Sequence, residues 1–435
     1  MITEQDVAAL DSGCVLLGSG GGGPSATMAT LLRQRLRAAP VPFLAVADLP
    51  RDAVVVPIGF IGSTGLLDEK LPSGGELDEA IEVVARWNGV RVDAVMSLEA
   101  GGVNGLAAFC CGRPVVDADL MGRAFPRLGH MSTSRANVAA GPYAMVDAAG
   151  RTTVMDRCDP DAGERMIRGA LAASGGWAAF AHWPIRAADL PGQAIVGSLS
   201  RAIGLGRTML SLPGRAPRAA ALGGRLAGTG RVVEVSRRPS GRGTVTVLDH
   251  GGAVLRVEME NEYQVVFRDG VPVATTPDVL CLLESRTGAP IACHQIRPGH
   301  RVEVVQLASP ALWRRPDRLA QVSPAAFGIE VPPCLLEDGD ADGPGPAGGG
   351  PSHRDGPPHG DDLPHQNGTP SEDSLLHRND PPRGDNLPCQ DGSPYGGGLP
   401  CRGGTSRGDD LSHRDAPPSG DGLPGGDDLP DGEGR

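Results

Sequence analysis

The stretch DAVVVPIGFIGSTGLLDEKLPSGGELDEAIEVVARWNGVRVDAVMSLE, residues 52–99, decides the fold. Its ends, 52–62 and 92–99, are continuous apolar runs of the length that buried strands have. Between them, residues 75–87 place their apolar side chains on one face of a helix. A strand, a helix and a second strand in succession predict two parallel strands, because the intervening helix returns the chain to the same edge of the sheet.

The segments before this stretch continue the same alternation. Thr3 and Asp6 have the spacing of a capping box, which predicts a helix that Gly13 ends. Residues 14–18, CVLLG, are then predicted as a strand, and GSGGGGP (18–24) as a glycine-rich turn that leads into a helix over residues 25–36.

The segments after it change character twice. Residues 105–112 predict a short helix, 113–119 a fourth strand and 143–156 a β-hairpin, whereas the signal over 160–211 is helical. Residues 225–310 contain short β-rich runs separated by Gly, Pro and Asp, which predicts an antiparallel β domain. The expected fold class is therefore α/β, with a mostly parallel N-terminal sheet, flanking helices and a C-terminal antiparallel β-rich domain.

The sequence is predicted to divide into three regions, at 1–168, 169–335 and 336–435. The last carries a degenerate dodecapeptide repeat from His353 to Pro424, of which HRDGPPHGDDLP is one copy. Its copies are rich in Pro, Gly and Asp and contain few apolar residues, so they are predicted to be disordered. Truncation after Pro333 is expected to leave thermal stability and activity almost unchanged.

Composition excludes several functional classes. The net charge is −12, and no stripe of Lys and Arg alternates with aromatic residues, which argues against a nucleic-acid partner. No signal peptide or membrane-spanning run is predicted. The nine cysteines show no CxxC spacing. We therefore expect a reduced, cytoplasmic protein that acts on a small-molecule substrate, as a homo-oligomer, without a membrane partner.

The glycine-rich turn fits the G-x-G-x-x-G pattern of dinucleotide sites, with Gly18, Gly20 and Gly23 at the three glycine positions. The acidic residue that such sites need about twenty positions later is missing, because Asp48 lies too far along and next to Pro50. The turn is better suited to close approach of the backbone to a substrate or to a neighbouring element. Amides that could hold an anion belong to Gly20, Gly21, Gly22 and Gly23.

Polar residues follow the strand ends, where open α/β sheets bind ligands. Glu99 ends a strand, Asn104 can cap the next helix, and Glu76 lies in a loop after the preceding strand. Arg123 can bind a substrate carboxylate or pair with an aspartate. In the β domain, the residues at 260–262 (Glu-Asn-Glu) interrupt an apolar run, so they face either solvent or a cleft.

A metal site and a thiol site are the two chemical alternatives. Asp117 and Asp119 alternate along a strand and are expected on one face, where they could share a divalent cation with His130. Cys110 and Cys111 could supply a nucleophile, although both also suit a core as small apolar residues.

Several motifs together resemble one bacterial and archaeal family, named for S-methyl-thiohydantoin desulfurase. The most specific is VVDADLMGRAFP (115–126), and the resemblance spans about residues 1–335. It implies hydrolysis of a carbon–sulfur bond on a hydantoin-like ring, in proteins associated with hydantoinase and oxoprolinase systems. One departure is IACHQIRPG, in which His294 occupies a position expected to be acidic. The other motifs are GSGGGGP, GSTG, EKLPSGGE, GGVNGL, the pair Asn261-Glu262, TTPDVL and SPAAFG.

The resemblance leads to a specific hypothesis. A metal bound by the two aspartates and His130 would generate hydroxide, Glu99 or Glu76 would act as the base, and Arg123 would orient the ring. Backbone amides of 20–23 or of 101–104 would hold a ring oxygen. A cysteine nucleophile is the alternative within the enzyme class, and a non-catalytic subunit that binds a hydantoinase or oxoprolinase partner is the alternative outside it.

Overall fold

The computed structural model describes residues 1–67, 69–135, 138–212, 217–238 and 242–337. The predicted repeat lies outside the described residues. The helices of the described part are α1 Val7–Leu17, α2 Ala26–Ala38, α3 Glu76–Asn88, α4 Asn104–Ala107, α5 Pro160–Ser174, α6 Leu190–Gln193, α7 Ser198–Ser211, α8 Arg218–Ala221, α9 Ala311–Arg314 and α10 Pro316–Val322.

The strands fall into an N-terminal and a C-terminal group. The first group is β1 Phe43–Leu44, β2 Val54–Gly62, β3 Ala94–Ser97, β4 Val115–Val116, β5 Ala118–Asp119, β6 Tyr143–Asp147, β7 Thr152–Met155, β8 Trp177–Ala181, β9 Ile185–Arg186 and β10 Ile195–Val196. The second is β11 Arg225–Arg237, β12 Gly243–Asp249, β13 Val254–Met259, β14 Tyr263–Arg268, β15 Val271–Thr275, β16 Val279–Glu284 and β17 Arg301–Leu307.

The first sheet has a parallel half and an antiparallel half. Its order is β1-β4-β3-β2-β8-β6-β7, with β9 also paired to β2. The pairs β1–β4, β4–β3 and β3–β2 are parallel, which confirms the strand–helix–strand prediction over residues 52–99. Apolar side chains cover both faces of this sheet: Val56 and Ile58 pack on one side with α1 and α3, and Val55 packs on the other with α5.

The second sheet is antiparallel throughout, in the order β15-β14-β13-β12-β11-β17-β16. Val245 and Val257 are partners across neighbouring strands, and both belong to the buried cluster that forms this sheet's own core. The predicted antiparallel β domain is confirmed.

The first helix differs from the prediction. α1 continues through Gly13 and includes the residues predicted as the strand CVLLG. Gly13 does not end the helix but allows close packing, because a side chain there would collide with the carbonyl of Ala202 in α7. Gly206 of α7 lies equally close to the carbonyl of Ala9. Two helices that touch backbone to backbone need glycine in mid-helix, and this tertiary contact overrides the helix-ending tendency of glycine.

The helical prediction over 160–211 is also wrong in part. The run Trp177–Ala181 forms β8, which pairs with β2 and β6 in the middle of the first sheet. All five of its residues are buried, and a short apolar run that is buried on both faces has no periodicity that separates strand from helix.

The chain after Pro333 is bound to the β domain, which changes the expected effect of truncation. Leu336 is buried, its amide donates to a carboxylate oxygen of Asp278 at 2.6 Å, and its carbonyl accepts from Arg314 at 2.7 Å. The amide of Cys334 donates to Thr275 at 2.9 Å.

Removal of residues 334–435 is therefore expected to lower the free energy of unfolding by about 2 kcal/mol or more, because it empties an apolar site and leaves buried polar groups unpaired. Removal of residues 338–435 is the matched control, and we expect it to leave the melting temperature almost unchanged. Chemical denaturation of the two shortened chains measures the difference. Equal stability of both would contradict the binding role of Leu336.

Candidate active site

A cleft of about 590 Å³ opens where the carboxyl ends of β2 and β3 meet the C-terminal sheet. The loop after α1, the segment after β3 and the turn between β13 and β14 all reach it. Its polar lining residues include Glu99, Asn104, Arg127, Glu164, Arg168, Arg237, Glu260, Asn261, Glu262 and His294, and its apolar ones include Phe60, Ile61, Met121, Phe125, Leu128, Ile167 and Leu171. The predicted convergence of Glu99, Asn104 and the glycine turn is observed.

Glu99 is held in a fixed orientation in this cleft. Its carboxylate accepts from the side-chain amide of Asn104 at 3.0 Å and from the backbone amide of Phe125 at 3.1 Å. Asn104 is itself fixed, because its amide group exchanges two hydrogen bonds with the backbone of Phe60, at 2.6 and 3.0 Å. Burial raises the pKa of Glu99 to about 8, although the bond from Asn104 favours the ionised form.

Glu262 is the second buried carboxyl group of the cleft. It is 3% exposed, and its Oε2 atom has no hydrogen-bond partner among the described residues. Burial raises the pKa of Glu262 to about 8, against the lowering influence of the Arg123 guanidinium. The negative charge of Glu262 also raises the pKa of Glu99, so the two carboxyl groups are electrostatically coupled.

Arg123 lies beneath the cleft, outside its lining, and is completely buried. Its guanidinium donates to the carbonyl of Asp278 at 2.5 Å and to that of Ala124 at 3.1 Å, and it stacks over Phe125 at 4.8 Å. Burial lowers the pKa of Arg123 to about 10. The structure thus gives Arg123 a position from which its charge acts on Glu262 rather than a contact with the cleft.

The glycine turn connects two helices, so the strand that a dinucleotide fingerprint requires is absent there. Gly20, Gly22 and Gly23 have φ values of 88°, 73° and 77°, which favour glycine. Gly22 approaches the backbone of Gly102, and a side chain at Gly21 would collide with the carboxylate of Glu262. The turn therefore places the backbone of Gly21 beside Glu262 and that of Gly22 beside Gly102, in the segment that follows Glu99.

Four residues at the rim of the cleft were not predicted as site residues: Arg127, Glu164, Arg168 and His294. Arg127 binds Glu260 through two bonds of 2.8 and 3.0 Å, and Arg168 pairs with Glu164 across one turn of α5. His294, which stands where the family resemblance led us to expect an acidic residue, also lines the cleft. The spacing of Glu164, Arg168 and Leu171 on one helix face was the available signal, but nothing in the sequence placed that face at the cleft.

Two models of S-Me-THD-like domains match the chain, the N-terminal one over residues 5–157 and the C-terminal one over residues 158–334. The chain belongs to the S-Me-THD-like family. The resemblance inferred from its motifs is confirmed.

The crystal structure of a protein from Chromobacterium violaceum is similar to this S-Me-THD-like chain, with a TM-score of 0.64 and 23% identity. The match covers 77% of this chain and 99% of the other, and at this identity it shows a common fold. No curated protein sequence matches the chain. Among the described residues, no helix is both long and apolar enough to cross a bilayer.

Glu76, the alternative base, lies outside the lining of the cleft. Its carboxylate accepts from the backbone amides of Ser73 at 2.7 Å and Gly74 at 3.0 Å, at the start of α3. It therefore satisfies free amides at the helix N-terminus.

The three predicted metal ligands have separate environments in this S-Me-THD-like chain. Asp117 accepts from the backbone amides of Leu199 and Ser200, both at 3.0 Å, in the first turn of α7. Asp119 accepts from the amides of Ala100 and Gly122, at 2.6 and 2.7 Å.

His130 packs between the rings of Phe125 and Phe327, with centroid distances of 5.5 and 4.8 Å. Burial, together with the positive charges of Arg127 and Arg123, lowers the pKa of His130 to about 3. Within the described ranges, no group of three or more His, Cys, Asp or Glu side chains could hold a metal ion. Because the three predicted ligands are directed at different partners, they do not fit a shared cation.

Asp117→Ala is accordingly expected to destabilise the protein by about 1 kcal/mol, because it leaves two amides of α7 without their acceptor. The metal content of the purified protein is expected to stay unchanged. Denaturant unfolding and elemental analysis of wild type and variant measure both effects. Loss of a bound metal at unchanged stability would restore the ligand role.

The cysteine pair lies in the apolar core beside α2 rather than at the cleft. Burial raises the pKa of Cys110 to about 12 and that of Cys111 to about 11. The thiol of Cys111 donates to the carbonyl of Ala108 at 3.0 Å. A thiolate, which is the nucleophilic form, is disfavoured at both positions.

Proposed function

We propose that the chain is a hydrolase that removes the methylthio group from an S-methyl-thiohydantoin-like ring. One observation carries the proposal: Glu99 and Glu262 are two buried, coupled carboxyl groups that line the same cleft, and the pKa of each is raised to about 8. Near pH 8 such a coupled pair is partly protonated, so one group can hold a proton while the other offers a base, as general acid–base chemistry requires. Membership of the S-Me-THD-like family supports the choice of substrate class.

The roles follow from the hydrogen bonds. Glu99 acts as the base, because Asn104 and Phe125 donate to its oxygens and favour the ionised form. Glu262 acts as the acid, because no donor among the described residues contacts Oε2 to stabilise a charge there. In the first step, a water oxygen bonds to ring carbon C2, Glu99 takes a water proton, and Glu262 gives its proton to the ring nitrogen as the C=N double bond becomes single.

In the second step the tetrahedral carbon collapses. Its hydroxyl returns a proton to Glu262 as the C=O double bond forms, the C–S bond breaks, and the leaving methanethiolate takes the proton from Glu99. The products are the hydantoin and methanethiol, and both carboxyl groups return to their starting states. The backbone of Gly20 to Gly23 lines the cleft, with Gly21 beside Glu262, and permits close approach of the flat ring.

The purified full chain, incubated with an S-methyl-thiohydantoin in ¹⁸O-labelled water, tests this function. We expect equal amounts of methanethiol and hydantoin, with one ¹⁸O atom in the C2 carbonyl group. Glu76→Gln, which changes a buried glutamate outside the cleft, is the matched control and retains the rate. Absence of turnover, together with stable co-purification with a hydantoinase or oxoprolinase, would favour the accessory-subunit alternative. The hydantoinase or oxoprolinase partner stays a prediction. The same holds for a homo-oligomeric state and for a bound divalent metal.

A further inference from the structure

A second cavity, of about 290 Å³, lies on the C-terminal sheet. We call it the sheet groove and define it by Ser236, Thr244, Glu258, Gln264, Phe267 and Phe327. Ser236 pairs with Thr244, and Thr244 with Glu258, so these polar side chains form a row across three strands. Thr244 and Glu258 alternate with the core residues Val245 and Val257, which places the sheet groove on the face opposite to that sheet's apolar core.

Gln264 is the unusual residue of the sheet groove. It is 1% exposed, and neither Oε1 nor Nε2 has a hydrogen-bond partner among the described residues. A buried amide group without partners destabilises the folded state, because it has lost its hydrogen bonds to water and gained none from the protein. A ligand that offers an acceptor and a donor side by side would satisfy both atoms at once, whichever way the amide group is turned.

Three arginines line the same groove: Arg238, Arg242 and Arg256. Arg256 pairs with Glu258, and Arg242 is 3.9 Å from Glu260. Arg238 forms no ion pair with the described residues, so the rim keeps a positive charge for an anionic group. The rings of Phe267 and Phe327 supply flat apolar walls.

We propose that the sheet groove is a second binding site, for a small planar acid whose ring carries an N–H and a C=O group next to each other. The ring edge pairs with the Gln264 amide, the ring faces contact the phenyl groups, and the acidic group reaches Arg238. The proposal goes beyond the hydrolase function and does not depend on turnover.

The sheet groove shares a wall with the cleft. Glu260 and Met259 line both cavities, and Glu260 contacts Arg127 of the cleft as well as Arg242 of the sheet groove. Arg242 lies next to Arg238, because the Arg238 amide donates to the Arg242 carbonyl at 2.7 Å. An acidic group at Arg238 therefore also competes with Glu260 for Arg242 and strengthens the pair between Glu260 and Arg127. Occupation of the sheet groove is therefore expected to change binding in the cleft.

Uracil-6-carboxylate is a suitable probe, because it is flat, acidic and has N–H and C=O groups in adjacent ring positions. We expect calorimetry with the full chain to show binding with a Kd below about 1 mM. Gln264→Leu and Arg238→Ala are each expected to weaken binding about ten-fold or more. The matched controls are Arg231→Ala, which changes an exposed arginine of β11 outside the sheet groove, and Glu262→Gln in the cleft; both retain the wild-type affinity. The 1,3-dimethyl analogue of the probe, which lacks the N–H groups, is expected not to bind.

Thermal unfolding of Gln264→Leu separates a binding role of the Gln264 amide from a structural one. Because the Gln264 amide has no partner among the described residues, Gln264→Leu is expected to melt at the wild-type temperature or above it when no probe is present. A clear fall in its melting temperature would mean that the amide has a structural role and would overturn the proposal. No binding of the probe to wild type, or binding that is lost in Glu262→Gln but kept in Gln264→Leu, would overturn it as well.

Discussion

Glu262→Gln is expected to lower kcat/KM for an S-methyl-thiohydantoin by about a hundred-fold or more, the usual contribution of a positioned general acid. Glutamine has nearly the same shape and can occupy the space beside Gly21, but it cannot give a proton to the ring nitrogen. Folding is preserved, because Oε2 of Glu262 has no hydrogen bond to lose within the part of the chain that the structure describes. Glu99→Gln is expected to lower kcat/KM by at least as much, since it removes the base and also disturbs the hydrogen bonds from Asn104 and Phe125.

The pH dependence of the rate separates a catalytic role from a structural one. With the pKa of Glu262 at about 8, the wild-type rate falls at higher pH as the acid loses its proton. The residual rate of Glu262→Gln is expected to lack this alkaline fall, whereas the Glu76→Gln control keeps it. A Glu262→Gln variant that retains the wild-type rate within about three-fold would rule out the acid role.

Much of the fold could be predicted from local pattern. The run from β2 to β3 has clear periodicity, and the alternation of the C-terminal strands is equally clear. The errors occur where a tertiary contact decides. Gly13 is explained by its contact with Ala202 in α7, and β8 by its place between β2 and β6. Neither partner is visible in the neighbouring sequence.

In the candidate site too, local pattern predicted some residues, whereas others depend on tertiary contacts. Glu99, Asn104 and the glycine turn could be brought together because they follow strands or a helix at one edge of the first sheet. Glu262 was noticed only as a polar interruption of an apolar run, because its partner is far away in sequence. The metal prediction assumed a regular strand, but Asp117 lies between the short strands β4 and β5. The strand alternation is interrupted there, so Asp117 reaches α7 while Asp119 reaches the segment after β3.

Glu262→Gln is also expected to make the protein more stable than wild type in alkaline solution. Folding raises the pKa of Glu262 from about 4.5 to about 8, so between these values the folded chain binds more protons than the unfolded one. A group of this kind favours the folded state fully below pH 4.5, and its contribution is lost as the pH rises towards 8. Glutamine does not ionise, so the variant escapes this loss.

The stability difference, variant minus wild type, is therefore expected to increase between pH 5 and pH 8 by up to about 1.4 kcal/mol per pH unit. Denaturant unfolding at several pH values measures it. Asp119, whose pKa burial raises to about 7, titrates in the same range, but it is present in both proteins and cancels in the difference.

Glu284→Gln provides a control of opposite sign. Hydrogen bonding from the backbone amide of Thr287 lowers the pKa of Glu284, so its carboxylate stabilises the fold above its unfolded pKa and loses that effect in acid. This variant is expected to be less stable than wild type by a constant amount above pH 5. A stability difference for Glu262→Gln that is likewise constant from pH 5 to pH 8 would mean that Glu262 is ionised throughout. It would then have no proton to give, and both the raised pKa and the acid role would be wrong.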